Sequence, residues 1–245
     1  MKAFLLAAGK GTRLQPLTLN TPKCLVPICG KPLIEYWFDL FELYGIGDIL
    51  INTSHLADKV KSYIDRHSRN FKIRLVYEET LLGSGGTIKK NLDFIDGEDD
   101  FFIFYADNLT NINLNKMMEF HKAHGTDFTL AVFKAPNPHE CGIVEMNENS
   151  KIISFVEKPA NPASSLAFAG IMISSPKLMH YFPDRDIFDL GHDVLHSVVG
   201  NAAGYVIDDY LLDIGNPEKL NRAETDMKNG KILCTHNLPK KGINA

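Results

Sequence analysis

The sequence predicts an α/β protein built on a doubly wound, mainly parallel sheet. Short apolar runs typical of buried strands alternate along the chain with longer amphipathic segments typical of helices. The chain has 245 residues, of which 44% are hydrophobic, so it can fill the core of one large domain. Strand, helix, strand order at this spacing indicates right-handed crossovers between parallel strands. Ligands of such folds bind beyond the carboxyl ends of the strands.

The predicted elements follow from length and periodicity. The apolar runs of strand length are Ala3–Ala8, Asp48–Thr53, Ile73–Tyr77, Phe101–Tyr105, Phe128–Phe133, Gly142–Met146, Ile152–Glu157 and Ala167–Ser174. The segments predicted as helices are Leu33–Tyr44, His55–Arg69, Gly85–Leu92, Leu114–His124, Pro176–Tyr181 and His192–Gly200. Consecutive strands are most frequent between residues 127 and 174, which predicts a smaller sheet region that forms a second wall of the site.

A glycine-rich turn follows the first apolar run. Gly9 and Gly11 can adopt positive φ and bring backbone N–H groups close to an anion. Arg13 supplies a planar fork of donors that matches phosphate oxygens, and Lys23 adds a second cation nearby in the sequence. An ordinary strand-to-helix turn can also contain two glycines, but here the cations stand where a bound nucleotide needs them. The segment therefore predicts phosphate binding.

Charge and cysteine content exclude several classes of protein. The chain carries a formal net charge of −4 and has a pI near 6.1, which argues against a general nucleic-acid binder. It has neither a secretory signal pattern nor an apolar run approaching the ~20 residues that span a bilayer, so we expect a cytoplasmic protein. Its cysteines lack the spacing of a zinc site, and we expect reduced, buried thiols at Cys24, Cys29, Cys141 and Cys234.

A longer string carries a specific resemblance. The segment LAAGKGTRLQPLTLNTPKCLVPICGKPLIEYW resembles the amino-terminal signature of the sugar-1-phosphate nucleotidyltransferases, or NDP-sugar pyrophosphorylases, which join a nucleoside triphosphate (NTP) to a sugar phosphate. It is similar to both the mannose-1-phosphate guanylyltransferase and the glucose-1-phosphate thymidylyltransferase branches. Further matches follow in the family's order: LLGSGGTI at Leu81 to Ile88, YADN at Tyr105 to Asn108, CGIVE at Cys141 to Glu145, FVEKP at Phe155 to Pro159 and LLDIGNPEKLNRAE at Leu211 to Glu224.

This resemblance implies a domain organisation and a reaction. It implies one Rossmann-like nucleotidyltransferase domain over residues 1–227, with an NTP-binding part at about 1–125 and a sugar phosphate-binding part at about 126–227, followed by a tail at 228–245. The implied reaction is Mg²⁺-dependent and joins an NTP and a sugar 1-phosphate with release of pyrophosphate, for surface polysaccharide precursors. Neither nucleic acid nor membrane is expected as a partner, and a homodimer is the default expectation.

The resemblance also assigns roles on the nucleotide side. Arg13 would orient the β- and γ-phosphates, Lys23 would neutralise charge as the transition state forms, and both are predicted catalytic residues together with Asp107. Asp107 and Asp213 would hold the Mg²⁺, although an aspartate after a strand is by itself more often a cap or turn residue. The predicted nucleotide-binding residues are Leu6, Ala7, Ala8, Gly9, Gly11, Thr12, Arg13, Lys23, Gly83, Gly86 and Asp107.

On the acceptor side, one position departs from the family pattern. Lys158 would hold the sugar phosphate, Glu157 would accept hydrogen bonds from sugar hydroxyls, and Gly142 would let the backbone approach the sugar. The predicted substrate-binding residues are Gly142, Glu157, Lys158, Phe168, Gly170 and Asp213. Phe168 stands where relatives usually carry an Asn that meets the sugar, and a phenyl ring forms no such hydrogen bond. An acceptor other than an ordinary hexose phosphate therefore stays open.

The sequence is consistent with two classes of function. The first is an enzyme, with GTP favoured by the DIGNPEKLNRAE segment and with thymidylyl, uridylyl or cytidylyl transfer to a non-standard acceptor as the alternative. The second is a catalytically weak nucleotide-binding subunit that regulates a partner. The chain keeps all of the implied functional residues Arg13, Lys23, Asp107, Lys158 and Asp213, which favours the enzyme.

Overall fold

A mixed sheet forms the centre of the protein in a computed structural model that describes residues 1–232. The strands are β1 Lys2–Leu6, β2 Pro27–Ile28, β3 Lys31–Pro32, β4 Asp48–Thr53, β5 Lys72–Tyr77, β6 Phe101–Tyr105, β7 Asn108–Thr110, β8 Phe128–Lys134, β9 Gly142–Met146, β10 Ile152–Glu157, β11 Leu166–Ser174, β12 Ala202–Val206 and β13 Leu211–Asp213. The α-helices are α1 Leu33–Tyr44, α2 Ala57–Arg66, α3 Gly83–Lys90, α4 Leu114–His124 and α5 Pro217–Lys228.

The order of the strands confirms the predicted α/β class. The main sheet runs β10-β9-β11-β6-β1-β4-β5, with β8 paired to β11 and β12. β1 is parallel to β4 and β6, and β4 is parallel to β5. β11 runs antiparallel to β6, so the strand-rich second half continues the same sheet instead of forming a separate one. The parallel centre thus places the ends of β1 and β6 side by side.

Alternation along β1 explains why helices pack on both faces of the sheet. Leu5 belongs to a core cluster with Trp37 and Phe41 of α1, whereas Phe4 belongs to a second cluster with Ile88 of α3. All of these side chains are fully or almost fully buried. Burying both faces of a parallel strand is typical of a doubly wound fold, in which ligand sites lie at the strand ends.

Most differences from the predicted elements occur after β11. The predicted helix His192–Gly200 is wrong: a short π-helical turn, Leu190–Val194, is followed by turns. Pro176–Tyr181 forms a 3₁₀-helix, and the predicted helix His55–Arg69 is confined to Ala57–Arg66. Helix α5 was not predicted, although Asn216 caps it by accepting a hydrogen bond from the N–H of Lys219 at 2.9 Å.

The predictions for the tail and the cysteines have mixed outcomes. The predicted tail at 228–245 begins at the last residue of α5, and residues 233–245, with Cys234, lie outside the described residues. Cys24 is buried as predicted, but Cys29 is exposed in the β2–β3 hairpin, so the prediction of burial is wrong there. Cys141 is partly buried, and in the described part of the chain these thiols are free. A search of residues 1–232 finds no helix with the length and apolarity needed to cross a membrane.

Candidate active site

A cleft of about 520 Å³ lies beyond the carboxyl ends of β1 and β6. Nearly all of the predicted nucleotide-binding residues line it; Gly86 does not. The lining residues are Leu6, Ala7, Ala8, Gly9, Gly11, Thr12, Arg13, Lys23, Cys24, Asn52, Glu78, Leu81, Gly83, Ser84, Tyr105, Ala106, Asp107, Ile187, Asp189 and Gly215. The size of the cleft suits a small-molecule ligand.

The glycine-rich turn forms the cationic side of the cleft. Gly11 has a φ of +65°, and a Cβ there would lie 2.9 Å from Cγ2 of Thr18, so a larger residue would be both strained and crowded. The Gly11 carbonyl accepts hydrogen bonds from the Thr18 hydroxyl at 2.7 Å and from the N–H of Leu14 at 2.9 Å. Leu14 is buried, which anchors the turn, and the adjacent Arg13 side chain is exposed at the rim of the cleft.

Lys23 and Asp107, which both line the cleft, form a close ion pair. The Nζ atom of Lys23 lies 2.6 Å from Oδ2 of Asp107, and the two side chains are 12% and 35% exposed. Each group therefore keeps a partner before any ligand binds. A phosphate group could take the ammonium and a metal ion could take the carboxylate.

Asp213 is brought to the same rim by the pairing of β13 with β7. In that ladder the N–H of Ile214 donates to the carbonyl of Asp107 at 2.8 Å. Oδ2 of Asp213 accepts from Nζ of Lys219 at 2.7 Å. A Cβ on Gly215 would lie 2.8 Å from Oδ2 of Asp213 and 3.1 Å from Nη2 of Arg13, which places both charged groups beside Gly215.

These carboxylates suit a metal that arrives with its nucleotide. Within residues 1–232 the structure has no group of three or more His, Cys, Asp or Glu side chains that could hold a metal ion by themselves. Mg²⁺ in nucleotide sites is typically bound by one or two carboxylates and completes its shell with phosphate oxygens and water. Asp107 and Asp213 would supply that donor set.

A buried polar network that sequence reasoning missed lies along the wall of the cleft. Oδ1 of Asn52 accepts from the N–H of Ala7 at 2.7 Å, and its Nδ2 donates to Oε1 of Glu78 at 2.9 Å. The hydroxyl of Thr87 donates to the same carboxylate oxygen at 2.5 Å. Asn52 and Glu78 are 4% and 3% exposed, yet both line the cleft. An Asn inside the apolar strand β4 was the available signal in the sequence.

The glycines of the LLGSGGTI motif make room for another part of the chain, the segment 186–189. The N–H groups of Gly85 and Gly86 donate to the carbonyl of Phe188 at 3.0 and 3.1 Å. A Cβ on Gly86 would lie 2.2 Å from the carbonyl oxygen of Asp186, and one on Gly83 would lie 2.4 Å from that of Phe188. Gly83 lines the cleft, whereas Gly86 packs against the segment 186–189, so the role of Gly86 in nucleotide binding stays a prediction.

We expect the substitution Gly86→Ala to displace the segment 186–189. The added methyl group cannot fit against the backbone carbonyl of Asp186, so the free energy of unfolding should fall by about 1–3 kcal/mol. Thermal unfolding of the purified variant measures this loss. Gly47→Ala is the matched control, because a Cβ there meets no described atom within 4 Å. Equal unfolding temperatures for the two variants would contradict the close approach.

The predicted acceptor residues form a second cluster at the ends of β9 and β10. A Cβ on Gly142 would lie 2.7 Å from Oε2 of Glu157, and one on Gly191 would lie 3.0 Å from the same oxygen. Lys158 is 64% exposed, and its Nζ lies 3.6 Å from Oε1 of Glu157. The structure thus brings Gly142, Glu157 and Lys158 together, outside the lining of the 520 Å³ cleft.

Tyr105 connects this cluster to the cleft. Its ring packs edge-on against Phe168, with ring centroids 6.0 Å apart, and Gly170 lies beside its Cβ. The Tyr105 hydroxyl donates to Oγ of Ser84 at 3.2 Å. Burial, and the nearby carboxylates less strongly, raise the pKa of Tyr105, so the phenol stays neutral. Phe168 is therefore separated from the cleft by a side chain that lines it.

This α/β fold carries clustered cations and carboxylates at the strand ends, where doubly wound proteins bind their ligands. The chain belongs to the nucleotidyl transferase family, whose model matches residues 2–230. A UTP–glucose-1-phosphate uridylyltransferase of Synechocystis sp. is 32% identical over 234 residues, which are 88% of this chain and 60% of that protein. The mannose-1-phosphate guanylyltransferase of Mycobacterium tuberculosis is 28% identical over 233 residues, which are 93% of this chain and 65% of that protein. The chain thus spans about three fifths to two thirds of these relatives.

Solved structures share the fold over most of the chain. HddC from Yersinia pseudotuberculosis matches with a TM-score of 0.78 and 26% identity, over 92% of this chain and 99% of that chain. The same protein complexed with GMP-PN matches with a TM-score of 0.75 and 27% identity, again over 92% and 99% of the two chains. A putative glucose-1-phosphate thymidylyltransferase from Bacillus anthracis has a TM-score of 0.79 at 24% identity, over 92% and 94%, and supports the fold.

Proposed function

We propose that this chain transfers a nucleotidyl group from an NTP to a sugar 1-phosphate, with release of pyrophosphate, to supply activated sugars for polysaccharide synthesis. The observation that carries the proposal is that Arg13, Lys23 and Asp107 line one cleft, with the Asp213 carboxylate beside the lining residue Gly215. The reaction joins two anions, so its barrier is lowered mainly by positioning and by positive charge. This cleft offers both cations and carboxylates able to hold a metal.

The chemical step follows from these placements. A phosphate oxygen of the sugar 1-phosphate attacks the α-phosphorus, the bond from that phosphorus to the bridging oxygen breaks, and pyrophosphate leaves with the electron pair. Asp107 and Asp213 are the residues that would hold Mg²⁺, which would neutralise further phosphate charge. Arg13 orients the β- and γ-phosphates with its fork of donors, and Lys23 stabilises negative charge that develops in the transition state.

Two lysine–aspartate ion pairs compensate the charges of the site before substrate binds. Lys23 pairs with Asp107, and Lys219 pairs with Asp213, at 2.6 and 2.7 Å. An unpaired charge in a partly buried cleft raises the free energy of the folded protein. Each lysine therefore neutralises its carboxylate until phosphate and metal bind. The lysines can then turn to phosphate oxygens while the carboxylates turn to the metal.

The acceptor is proposed to bind between Glu157 and Lys158. The exposed ammonium of Lys158 is free to reach the phosphate of the acceptor, while the Glu157 carboxylate lies between Gly142 and Gly191, where backbone can approach closely. Gly142 lies against Phe155, whose ring packs on Phe168, so this region borders aromatic side chains. An acceptor that presents an apolar face there would fit better than one that needs an amide partner.

Glu78 favours guanine as the base. Its carboxylate lines the cleft, where Oε1 accepts from Asn52 and Thr87 and Oε2 accepts from the N–H of Leu82 at 3.1 Å, so each oxygen is held in a fixed position. The Watson–Crick edge of guanine has two adjacent donors, N1–H and N2–H, and a carboxylate can accept both. Uracil and thymine offer a single donor between two carbonyl oxygens, which a carboxylate repels. The complex of HddC with GMP-PN is a guanine nucleotide bound to the same fold.

We expect Glu78→Gln to reduce kcat/KM for GTP about 10- to 100-fold, because a charge-assisted acceptor becomes a neutral amide. The value for UTP or dTTP should change less. Steady-state kinetics with each NTP at saturating sugar phosphate measure the difference. Glu79→Gln is the matched control, since Glu79 is the exposed neighbour in the sequence. An equal loss for all bases would make Glu78 a structural residue only.

The proposed function is tested by pyrophosphate release from the wild-type chain. Each of GTP, UTP, CTP and dTTP is combined with mannose, glucose and other sugar 1-phosphates in the presence of Mg²⁺, and pyrophosphate is measured by a coupled pyrophosphatase assay. Release with at least one pair supports the proposal, and that pair identifies base and sugar. NTP binding without release from any pair would favour the regulatory alternative and overturn the proposal.

A further inference from the structure

The segment 186–189 forms a wall of the cleft and is held tightly to α3. The N–H of Phe188 donates to the carbonyl of Leu82 at 2.9 Å, and the Phe188 carbonyl accepts from Gly85 and Gly86. Nζ of Lys89 donates to the carbonyl of Arg185 at 3.0 Å, just before the segment begins. The ring of Phe188 is 2% exposed. The backbone of this wall is therefore defined before a ligand arrives.

Asp189 connects the segment 186–189 to Tyr105 at the end of β6. Its Oδ1 accepts from both the N–H and the hydroxyl of Ser84 at 3.1 Å, at the start of α3. Ser84 in turn accepts from the hydroxyl of Tyr105, which lies two residues before Asp107. The segment 186–189 is thus connected through side chains to the end of β6.

Ile187 is an exposed apolar residue in the segment 186–189. It is 54% exposed, although its neighbour Phe188 is buried, and it lines the cleft with Leu81. Because the backbone on both sides is hydrogen-bonded, Ile187 cannot turn inward without breaking those contacts. An aliphatic side chain presented to a ligand cleft on a defined backbone is a preformed apolar contact.

We propose that Ile187 packs against the nucleobase of the bound NTP and sets nucleotide affinity. The inference rests on the proposed function, in which the triphosphate meets Arg13 and Lys23 and the acceptor phosphate meets Lys158. The base is the part of the NTP that has apolar faces. Leu81 and Ile187 line the cleft next to Glu78, the residue proposed to bind the base, because Leu82 donates its N–H to Glu78 and accepts from Phe188.

Binding measurements on Ile187→Ala test this contact. Isothermal titration calorimetry gives the dissociation constants of GTP, UTP, CTP and dTTP with Mg²⁺, and that of pyrophosphate, which has no base. We expect the constant of the preferred NTP to rise about 5- to 30-fold, the affinity that burial of part of an aliphatic side chain provides. The constant for pyrophosphate should stay unchanged. Ile153→Ala is the matched control, because Ile153 is 55% exposed on the edge strand β10.

Each outcome decides the proposal. Equal weakening of NTP and pyrophosphate would show that Ile187 shapes the cleft without touching the base, and unchanged NTP binding would show no contact; either result overturns the inference. A rise in the KM of the sugar 1-phosphate alone would assign Ile187 to the acceptor and also overturn it. If wild-type protein binds NTP but transfers nothing, the proposed function fails while the comparison of affinities still decides the role of Ile187. A wild-type chain that binds no NTP overturns both.

Discussion

Asp107→Asn should lower Mg²⁺-dependent turnover about 10³-fold while the protein stays folded. The amide keeps the shape of the side chain but loses the charge that would hold the metal and that pairs with Lys23 at 2.6 Å. The backbone carbonyl of Asp107 keeps its hydrogen bond from Ile214, so the β7–β13 connection survives. Pyrophosphate release at saturating substrates measures the loss, and thermal unfolding checks the fold.

Asp65→Asn is the control for Asp107→Asn. Asp65 also forms an ion pair at 2.6 Å, with Lys61, but both side chains are exposed on α2. Its loss should change turnover little, since exposed pairs contribute about 0–1 kcal/mol to stability. Near-normal activity of Asp107→Asn would remove Asp107 from the metal site.

Lys23→Ala should reduce kcat about 10²- to 10³-fold, the usual effect of removing one preorganised charged contact to a transition state. Lys23 is only 12% exposed and points its ammonium at the carboxylate of Asp107, so its position is set before substrate binds. The KM for NTP should rise much less than kcat falls, because the interaction strengthens as charge develops. Single-turnover and steady-state rates together measure the split.

Lys61→Ala is the matched control for this lysine, because it removes the exposed partner of Asp65. A rise in the KM for NTP with unchanged kcat would show that Lys23 contributes equally to ground state and transition state. Lys23 would then be a binding residue, without a role in the chemical step.

The elements that could be predicted from the sequence are those with a strong and uninterrupted pattern. The observed bounds of α1, α4, β4 and β6 match the predicted ones, because each is a long periodic or continuous apolar segment. The segment after residue 189 could not be predicted in this way. There the N–H of Asp189 bonds to the carboxylate of Asp193, and the backbone follows a π-helical turn that a helical pattern does not distinguish.

The residues of the candidate site also fall into two groups, those that the sequence pattern indicates and those that only the tertiary fold brings together. The glycine-rich turn and Asp107 each follow an apolar run predicted as a strand, and both line one cleft. Other contacts that shape the cleft join distant positions: Asn52 meets Glu78 across 26 residues, and Ser84 meets Asp189 across 105. Such pairings depend on the tertiary fold, so the sequence marks Asn52 as unusual within an apolar strand without indicating its partner.

Transfer of a labelled α-phosphate is the most direct test of the proposed reaction. The wild-type chain is incubated with Mg²⁺, a sugar 1-phosphate and an NTP that carries a label at the α-phosphorus. GTP, UTP, CTP and dTTP are each combined with mannose, glucose and other sugar 1-phosphates. We expect the label to move into an NDP-sugar while the pyrophosphate released stays unlabelled. Absence of a labelled NDP-sugar with every combination, in protein that still binds NTP, would contradict the proposed reaction.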